Sequence, residues 1–252
     1  MLNIVVPMAG LGSRFANAGY TVPKPLIPVH GVPMIRLVIA NIRPACAHRF
    51  IFICQQAHVG QFGLTEALGA WAPGCVVIGL DGVTEGAACT VLTARTHIDT
   101  DSPLMIANSD QYVDVSVDDY LAAMDGRNLD GLIMTMDADD PKWSFCGMDE
   151  NGYVTRVVEK QVISRHATVG IYNFRTGSDF VRSADRMIAR NLRVNNEFYV
   201  APVYNEMIED GARLGIYDVG SEGNGMYGLG IPADLDAFLA LPLSHRATGA
   251  VS

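Results

Sequence analysis

Asn3-Ile4-Val5-Val6-Pro7-Met8-Ala9-Gly10-Leu11-Gly12-Ser13-Arg14-Phe15 opens the chain, and Pro23-Lys24-Pro25-Leu26-Ile27-Pro28-Val29 follows closely. The first stretch reads as a buried strand running into small residues and glycines. Such a strand presents bare backbone N–H groups at its carboxyl edge, and no Cβ stands between them and a phosphate chain. Ala9, Gly10, Gly12 and Ser13 are the candidate backbone donors, and Arg14 and Lys24 add two fixed positive charges. Phosphoryl and nucleotidyl transfer ask the protein chiefly for positioning and for neutralisation of charge developing on phosphate oxygens. Strand, loop and lysine together define a candidate phosphate site.

Gly10-Leu11-Gly12 alone is a common kind of turn, and two better-known fingerprints do not fit it. A dinucleotide-binding loop needs a third glycine at Gly-x-Gly-x-x-Gly, where this chain has Phe15. A Walker A loop needs Gly-Lys-Ser/Thr, which does not follow. The added Ser-Arg and the later Pro-Lys-Pro-Leu-Ile-Pro-Val make the pattern specific. Over roughly the first 35 residues the sequence resembles the sugar-phosphate nucleotidyltransferase family, whose amino-terminal signature is a glycine-rich loop ending in Arg and then a Pro-Lys-x-Leu-x-Pro segment. Relatives of this kind, NDP-sugar pyrophosphorylases among them, serve capsule and surface-polysaccharide synthesis.

Composition sets the frame. The 252 residues are 49% hydrophobic with a net charge of −9, and mean hydropathy is +0.19 with pI near 5.0. That is ample for a well-buried core. With no Lys/Arg run or basic stripe, a general nucleic-acid binder is not expected. No apolar stretch approaches a membrane span, and the amino terminus lacks a basic region before an apolar signal core. The expectation is a cytoplasmic protein without a membrane partner; a homo-oligomer stays open. Cys46, Cys54, Cys75, Cys89 and Cys146 are odd in number and widely spaced, so they are expected to be reduced core residues with no metal among them.

Strand-like and helix-like segments alternate. Strands are predicted at 3–7, 49–54, 75–79, 104–107 and 132–136, and helices at 33–42, 64–70, 87–95 and 117–124. Short apolar runs separated by helical patterns indicate a doubly wound α/β fold, a mostly parallel sheet with helices on both faces. From Trp143 the pattern changes. Asn151-Gly152 between two strand-like runs signals a hairpin, then come a strand at 167–174, helices at 178–191 and 200–210, a strand at 214–219 and a helix at 232–239. The tail after Leu243 reads as frayed. One domain over 1–252 is expected, with a nucleotide half at 1–140, an acceptor half with the hairpin at 141–243 and a tail at 244–252; the resemblance implies the nucleotidyltransferase variant of this fold, akin to GT-A folds.

Ligands of such sheets bind outside the carboxyl ends of the strands. Thr84-Glu85-Gly86-Ala87-Ala88 opens a helix there, and its small residues would let a flat base lie on backbone; the resemblance assigns base contact to Thr84, Gly86 and Ala87. Asp110, in Asn108-Ser109-Asp110-Gln111 at a strand exit, is the candidate Mg²⁺ ligand, since Mg²⁺ takes one or two carboxylates plus substrate oxygens. The resemblance places Glu159 and Lys160 at an acceptor pocket, Lys160 on the acceptor phosphate, although Gln161 replaces the family's usual proline. Ser144, Thr168 and Glu197, the last in Asn196-Glu197-Phe198-Tyr199, join them as candidate acceptor residues.

The resemblance extends to Gly228-Leu229-Gly230-Ile231-Pro232-Ala233-Asp234-Leu235, similar to the family's Gly-Thr-Pro-x-Asp-Leu element. Many members carry a second metal-binding Asp or Asn where this chain has Gly228. Either Asp110 and substrate phosphates hold the metal, or a carboxylate such as Asp218 or Glu222 contributes. Ser144 stands where many sugar-specific members have glycine, which leaves room for a non-sugar acceptor such as phosphocholine or a phosphorylated amino acid. The resemblance thus implies a Mg²⁺-dependent nucleotidyltransferase in which a phosphorylated metabolite attacks the α-phosphorus of a nucleoside triphosphate, a pyrimidine nucleotide by the smallness of the base pocket, and pyrophosphate leaves. Arg14 would hold the leaving β/γ-phosphates and Lys24 would bridge towards the α-phosphate. Two other classes share parts of this sequence: a GT-A glycosyltransferase, which has no use for charges on pyrophosphate, and a catalytically silent nucleotide sensor.

Overall fold

Short unbroken apolar runs become strands here because both faces of a central sheet are covered. In the computed structural model, which describes residues 1–251, the strands in chain order are β1 (Leu2–Met8), β2 (Pro28–Val29), β3 (Val32–Pro33), β4 (His48–Gln55), β5 (Val76–Leu80), β6 (Leu104–Ala107), β7 (Gln111–Val113), β8 (Gly131–Asp137), β9 (Ser144–Met148), β10 (Val154–Glu159), β11 (His166–Phe174), β12 (Leu214–Glu222) and β13 (Gly225–Gly228). Eleven of them form one sheet in the order β5-β4-β1-β6-β11-β8-β12-β13-β7, with the β9–β10 hairpin attached through β9 to β11. β1 runs parallel to β4 and β6, β4 to β5, and β12 to β8 and β13. β11 is antiparallel to both β6 and β8 and joins the two parallel groups.

The helices are α1 (Ser13–Asn17), α2 (Met34–Asn41), α3 (Gln56–Gln61), α4 (Leu64–Trp71), α5 (Ala87–Leu92), α6 (Arg95–Ile98), α7 (Val117–Gly126), α8 (Gly177–Ala189), α9 (Val203–Glu209), α10 (Pro232–Leu239) and α11 (Pro242–Gly249). Alternate strand residues feed opposite layers. Ile4, Val6, Phe50 and Phe52 pack with α2, α4 and α7 on one face, while Val5, Ile51 and Ile53 pack with α5, α8 and α9 on the other. A third core joins Phe15, Ile27 and Val29 to Leu235, Phe238 and Leu243. The segments after the glycine loop are therefore braced by the two carboxyl-terminal helices. Among the described residues no helix is long and apolar enough to cross a membrane.

Three expectations are corrected. The tail after Leu243 is not frayed: α11 begins with Pro242 in its first turn and buries Leu243, Ser244, Ala247 and Thr248, an apolar stripe too interrupted by polar residues to register as a helix. The helix expected at 87–95 breaks into α5 and α6 at Thr93, whose hydroxyl bonds the Thr90 carbonyl at 2.7 Å and so competes with the backbone ladder. Of the five cysteines, Cys54 and Cys146 are core residues, with burial pushing their thiols up to about 12, but Cys75 and Cys89 are half-buried and Cys46 is exposed.

Candidate functional site

The glycine loop begins where β1 ends. The Gln55 amide bonds the Ala9 carbonyl and, at 2.9 Å, the Gly82 carbonyl, tying the loop to the segment after β5. Gly12 enters α1 with φ +61°, a left-handed conformation that glycine adopts without a Cβ penalty. A Cβ there would lie 3.4 Å from Lys24 Cβ, so the loop rests against the lysine. Lys24 starts a 3-10 turn at Lys24–Leu26, and its Nζ reaches Asp110 Oδ2 at 2.7 Å, both side chains about a quarter exposed. Asp110 follows β6, and its own carbonyl accepts the Leu229 N–H at 2.8 Å. The lysine and the carboxylate, distant in sequence, thus meet at one end of the sheet.

A cavity of about 410 Å³ opens beside this pair. Ala9, Gly10, Gly12 and Ser13 form one wall, and Thr84, Gly86 and Ala87 face them. Arg14, Lys24 and Asp110 stand at its flank rather than in its lining. Gly86 (φ +125°) is required for close approach: a Cβ there would lie 2.5 Å from the Phe198 backbone. Phe198 N–H bonds the Glu85 carbonyl at 2.8 Å and its carbonyl accepts Ala88 N–H at 3.0 Å. The Arg193–Glu85 ion pair at 2.9 Å closes the same junction.

A second cavity, about 210 Å³, shares Ala87 and Asn108 with the first. Ser144, Glu159, Thr168, Trp143, Tyr172 and Tyr199 line it. Ser144 begins β9 and Glu159 ends β10, and the antiparallel register sets them opposite each other; the Ser144 hydroxyl donates to the Glu159 carboxylate. Burial pushes the Glu159 carboxyl up, against the pull of that bond and of Lys160. Thr168 lies 3.1 Å from the Tyr172 hydroxyl. Lys160, with φ +57°, stands outside the lining: its Nζ donates to the Tyr199 hydroxyl at 2.9 Å and lies over that ring. The Tyr199 bond favours its charged form and raises its pKa. Glu197, also expected at the acceptor, lines the first cavity instead, with the glycine loop.

The candidate second carboxylates fall differently. Asp218 accepts Gly220 N–H at 2.9 Å, and Glu222 is paired with Lys142 at 3.0 Å. Asp234, in the first turn of α10, turns its Oδ2 towards Gly228, 3.2 Å from where a Cβ would sit. Burial pushes its carboxyl up; Lys142 and Arg14 pull it down, and Glu222 and Asp110 push it up. Among the described residues no group of three or more His, Cys, Asp or Glu side chains is arranged to hold a metal. Asp110 with substrate oxygens fits the hard-oxygen habit of Mg²⁺, which rarely uses an all-protein cage. Sequence reasoning did not single out Asp234, Tyr172 or Lys142; Asp234 carried the signal of an acid in a helix-opening Pro-Ala-Asp, which most often marks only the helix start.

Residues 4–198 match the family model described as nucleotidyl transferase. No curated protein matches the chain. Among solved structures it is similar to a nucleoside-diphosphate-sugar pyrophosphorylase from Vibrio cholerae RC9, at 25% identity and TM-score 0.80, over 94% of this chain and 100% of that one. A putative glucose-1-phosphate thymidylyltransferase from Bacillus anthracis, in complex with a sucrose, superposes with TM-score 0.75 at 16% identity, over 100% of this chain and 95% of that one. The inositol-1-phosphate CTP transferase from T. maritima superposes with TM-score 0.72 at 12% identity, over 99% and 95%. The last two likenesses bear on the fold alone. With the family model covering most of its length, and the glycine loop and lysine at the carboxyl end of its sheet, the chain belongs to the nucleotidyl transferase family.

Proposed function

We propose that this protein transfers a nucleoside monophosphate group from a nucleoside triphosphate, a pyrimidine one (CTP, UTP or dTTP), to a phosphorylated small metabolite, releasing pyrophosphate. The acceptor is a sugar 1-phosphate or a non-sugar phosphate such as phosphocholine or a phosphorylated amino acid. The observation that carries the reading is the adjacency of two cavities sharing Ala87 and Asn108, one walled by a glycine loop and flanked by Lys24 and Asp110, the other holding a buried carboxylate. A donor and an acceptor seated in them would meet at that shared wall, and holding two reactants in contact supplies much of the acceleration such a transfer needs.

In this reading Gly10, Gly12 and Ser13 offer backbone donors to the triphosphate, and the base lies against Thr84, Gly86 and Ala87. Arg14 holds the leaving β/γ-phosphates. Lys24 stabilises charge growing at the α-phosphate as the acceptor oxygen attacks, the role that preorganised cations play in phosphoryl transfer. Asp110 would hold Mg²⁺, which when bound supplies charge neutralisation on the phosphate oxygens. Glu159, fixed by Ser144, orients the acceptor, and Lys160 meets the acceptor's phosphate. No covalent enzyme intermediate is needed.

The test is a matrix of nucleoside triphosphates against phosphorylated metabolites, read by pyrophosphate release. Release that requires both substrates supports the reading. A glycosyltransferase would instead consume an NDP-sugar without pyrophosphate, and a nucleotide sensor would bind triphosphate with no release for any acceptor.

A further inference from the structure

We propose that Asp234 supplies the second carboxylate of the metal site, reaching from α10 into the space that the missing side chain of Gly228 leaves free. This rests on the reading of Asp110 as a metal ligand. The two carboxylates come from different elements and close on the same short backbone stretch, Gly228-Leu229-Gly230. Asp234 Oδ2 lies 3.2 Å from the position of a Cβ on Gly228, and Asp110 Oδ2 lies 2.8 Å from that of a Cβ on Gly230. Any side chain at Gly230 would push against Asp110, and one at Gly228 would press on Asp234. The glycines therefore keep open a cradle with one carboxylate oxygen on each of them.

The topology holds the cradle in place. Gly228 pairs with Gln111 in the β13–β7 register, and Leu229 N–H bonds the Asp110 carbonyl, so Asp110 is clipped to this backbone. α10 starts immediately afterwards and is anchored by buried Leu235 and Phe238, which fixes the azimuth of Asp234. A cleft of about 350 Å³ lined by Glu222, Gly228 and Asp234 gives access from solvent.

The other acids near this place, Asp218 and Glu222, are exposed, where Asp110 and Asp234 are half-buried. Asp218 is bonded to Gly220 N–H and Glu222 is paired with Lys142. Among the described residues no donor is hydrogen-bonded to Asp234. α10 has no side-chain cap bond, so no first-turn N–H claims the Asp234 oxygens. Asp234 is half-buried and its carboxylate oxygens carry no bonded donor, so they are free to meet a cation. The donor set, two monodentate carboxylates with the remaining positions left to water and phosphate oxygens, is what Mg²⁺ accepts.

The test measures metal binding directly. Mn²⁺ is titrated into the full chain and the free ion is followed by electron paramagnetic resonance, for the parent, Asp110→Asn, Asp234→Asn, Asp234→Ser and Asp218→Asn, with thermal melts to confirm folding. Both Asp234 variants should bind Mn²⁺ at least about tenfold more weakly than the parent, since ligand number and charge set the affinity of an oxygen site. Asp218→Asn should match the parent. Gly228→Asp added to Asp234→Asn should recover most of the lost affinity, because it returns a carboxylate to the same space from the opposite side, whereas Gly228→Asp in the parent should add little because Asp234 already fills that space; a gain in the parent as large as in Asp234→Asn would show that Asp234 supplies no ligand. Mn²⁺ affinity within about twofold of the parent in both Asp234 variants, with loss in Asp110→Asn, overturns the proposal while leaving Asp110 as a ligand. Unchanged affinity in Asp110→Asn as well would overturn the underlying reading too.

Discussion

Lys24 Nζ and Asp110 Oδ2 stand 2.7 Å apart at the foot of the glycine loop, each about a quarter exposed. In the proposed reaction this pair holds a cation for phosphate oxygens and a carboxylate for a divalent metal side by side before substrate arrives. An ion pair this open to water adds little to stability, about 1 kcal/mol or less. The pair's value lies in where it puts two opposite charges.

Lys24→Ala should therefore leave the fold nearly as stable as the parent while lowering kcat/KM by about two to three orders of magnitude, the usual effect of deleting one preorganised electrostatic donor. Thermal melts and pyrophosphate-coupled kinetics check the two halves of this expectation. A folded variant working within about threefold of the parent would show that Lys24 is only structural.

The strands that carry the loop were legible because their signal is local. Ile4, Val5 and Val6 are fully buried from both faces, so they read as an unbroken apolar run, and Leu104–Ala107 falls where the sequence puts it. Asn151-Gly152 announced its hairpin. The antiparallel insertion of β11 between β6 and β8 was not readable, since strand order is decided by long-range pairing and not by the strand's own residues. The three-residue β7 and four-residue β13 are too short for a periodicity, yet they are what bring Gly228 to Asp110. The meeting of Lys24 with Asp110 and the turning of Asp234 towards Gly228 are likewise tertiary facts. A motif can nominate such side chains, but only packing aims them. The same holds for Glu197, whose place in the first cavity no local pattern announces.

Glu159→Gln tests the buried carboxylate of the second cavity. Burial raises its pKa despite the bond from Ser144, so the folded state binds its proton more tightly than the unfolded chain does. Such a group costs stability above its folded pKa, and the cost vanishes below the unfolded value of about 4.3. The Gln variant removes that cost. Its Tm relative to the parent should be most favourable at pH 8 and should decline as pH falls towards 4, while acceptor turnover drops; a difference in Tm that stays flat with pH would show that the raised pKa has been misassigned.

Gly86→Ala tests the junction between the two cavities. The new methyl would meet the Phe198 backbone at 2.5 Å from a conformation, φ +125°, that alanine resists. Backbone cannot swing aside as a side chain can, so the 194–199 segment must lift. The variant should lose about 1–3 kcal/mol of stability, the range for strain at special backbone positions, and its KM for both substrates should rise because Glu197 and Tyr199 sit on the displaced segment. Unchanged KM values in a destabilised variant would confine Gly86 to folding.

Lys160→Met separates the two substrates. The ammonium lies against Tyr199, which lines the second cavity and not the first, so in the proposed reaction its charge serves an acceptor's phosphate there. A lysine acts on a phosphate dianion as a point charge, with no fixed fork geometry to lose. Met keeps the stem over the Tyr199 ring and removes only the charge. Acceptor KM should rise at least about tenfold with nucleotide affinity nearly unchanged, since deleting a ground-state ion pair mainly weakens binding of its own partner. Calorimetric titration of the nucleoside triphosphate and of the acceptor, each alone, decides it: a loss confined to the nucleotide, or shared equally by both, would place Lys160 on the donor's phosphates instead.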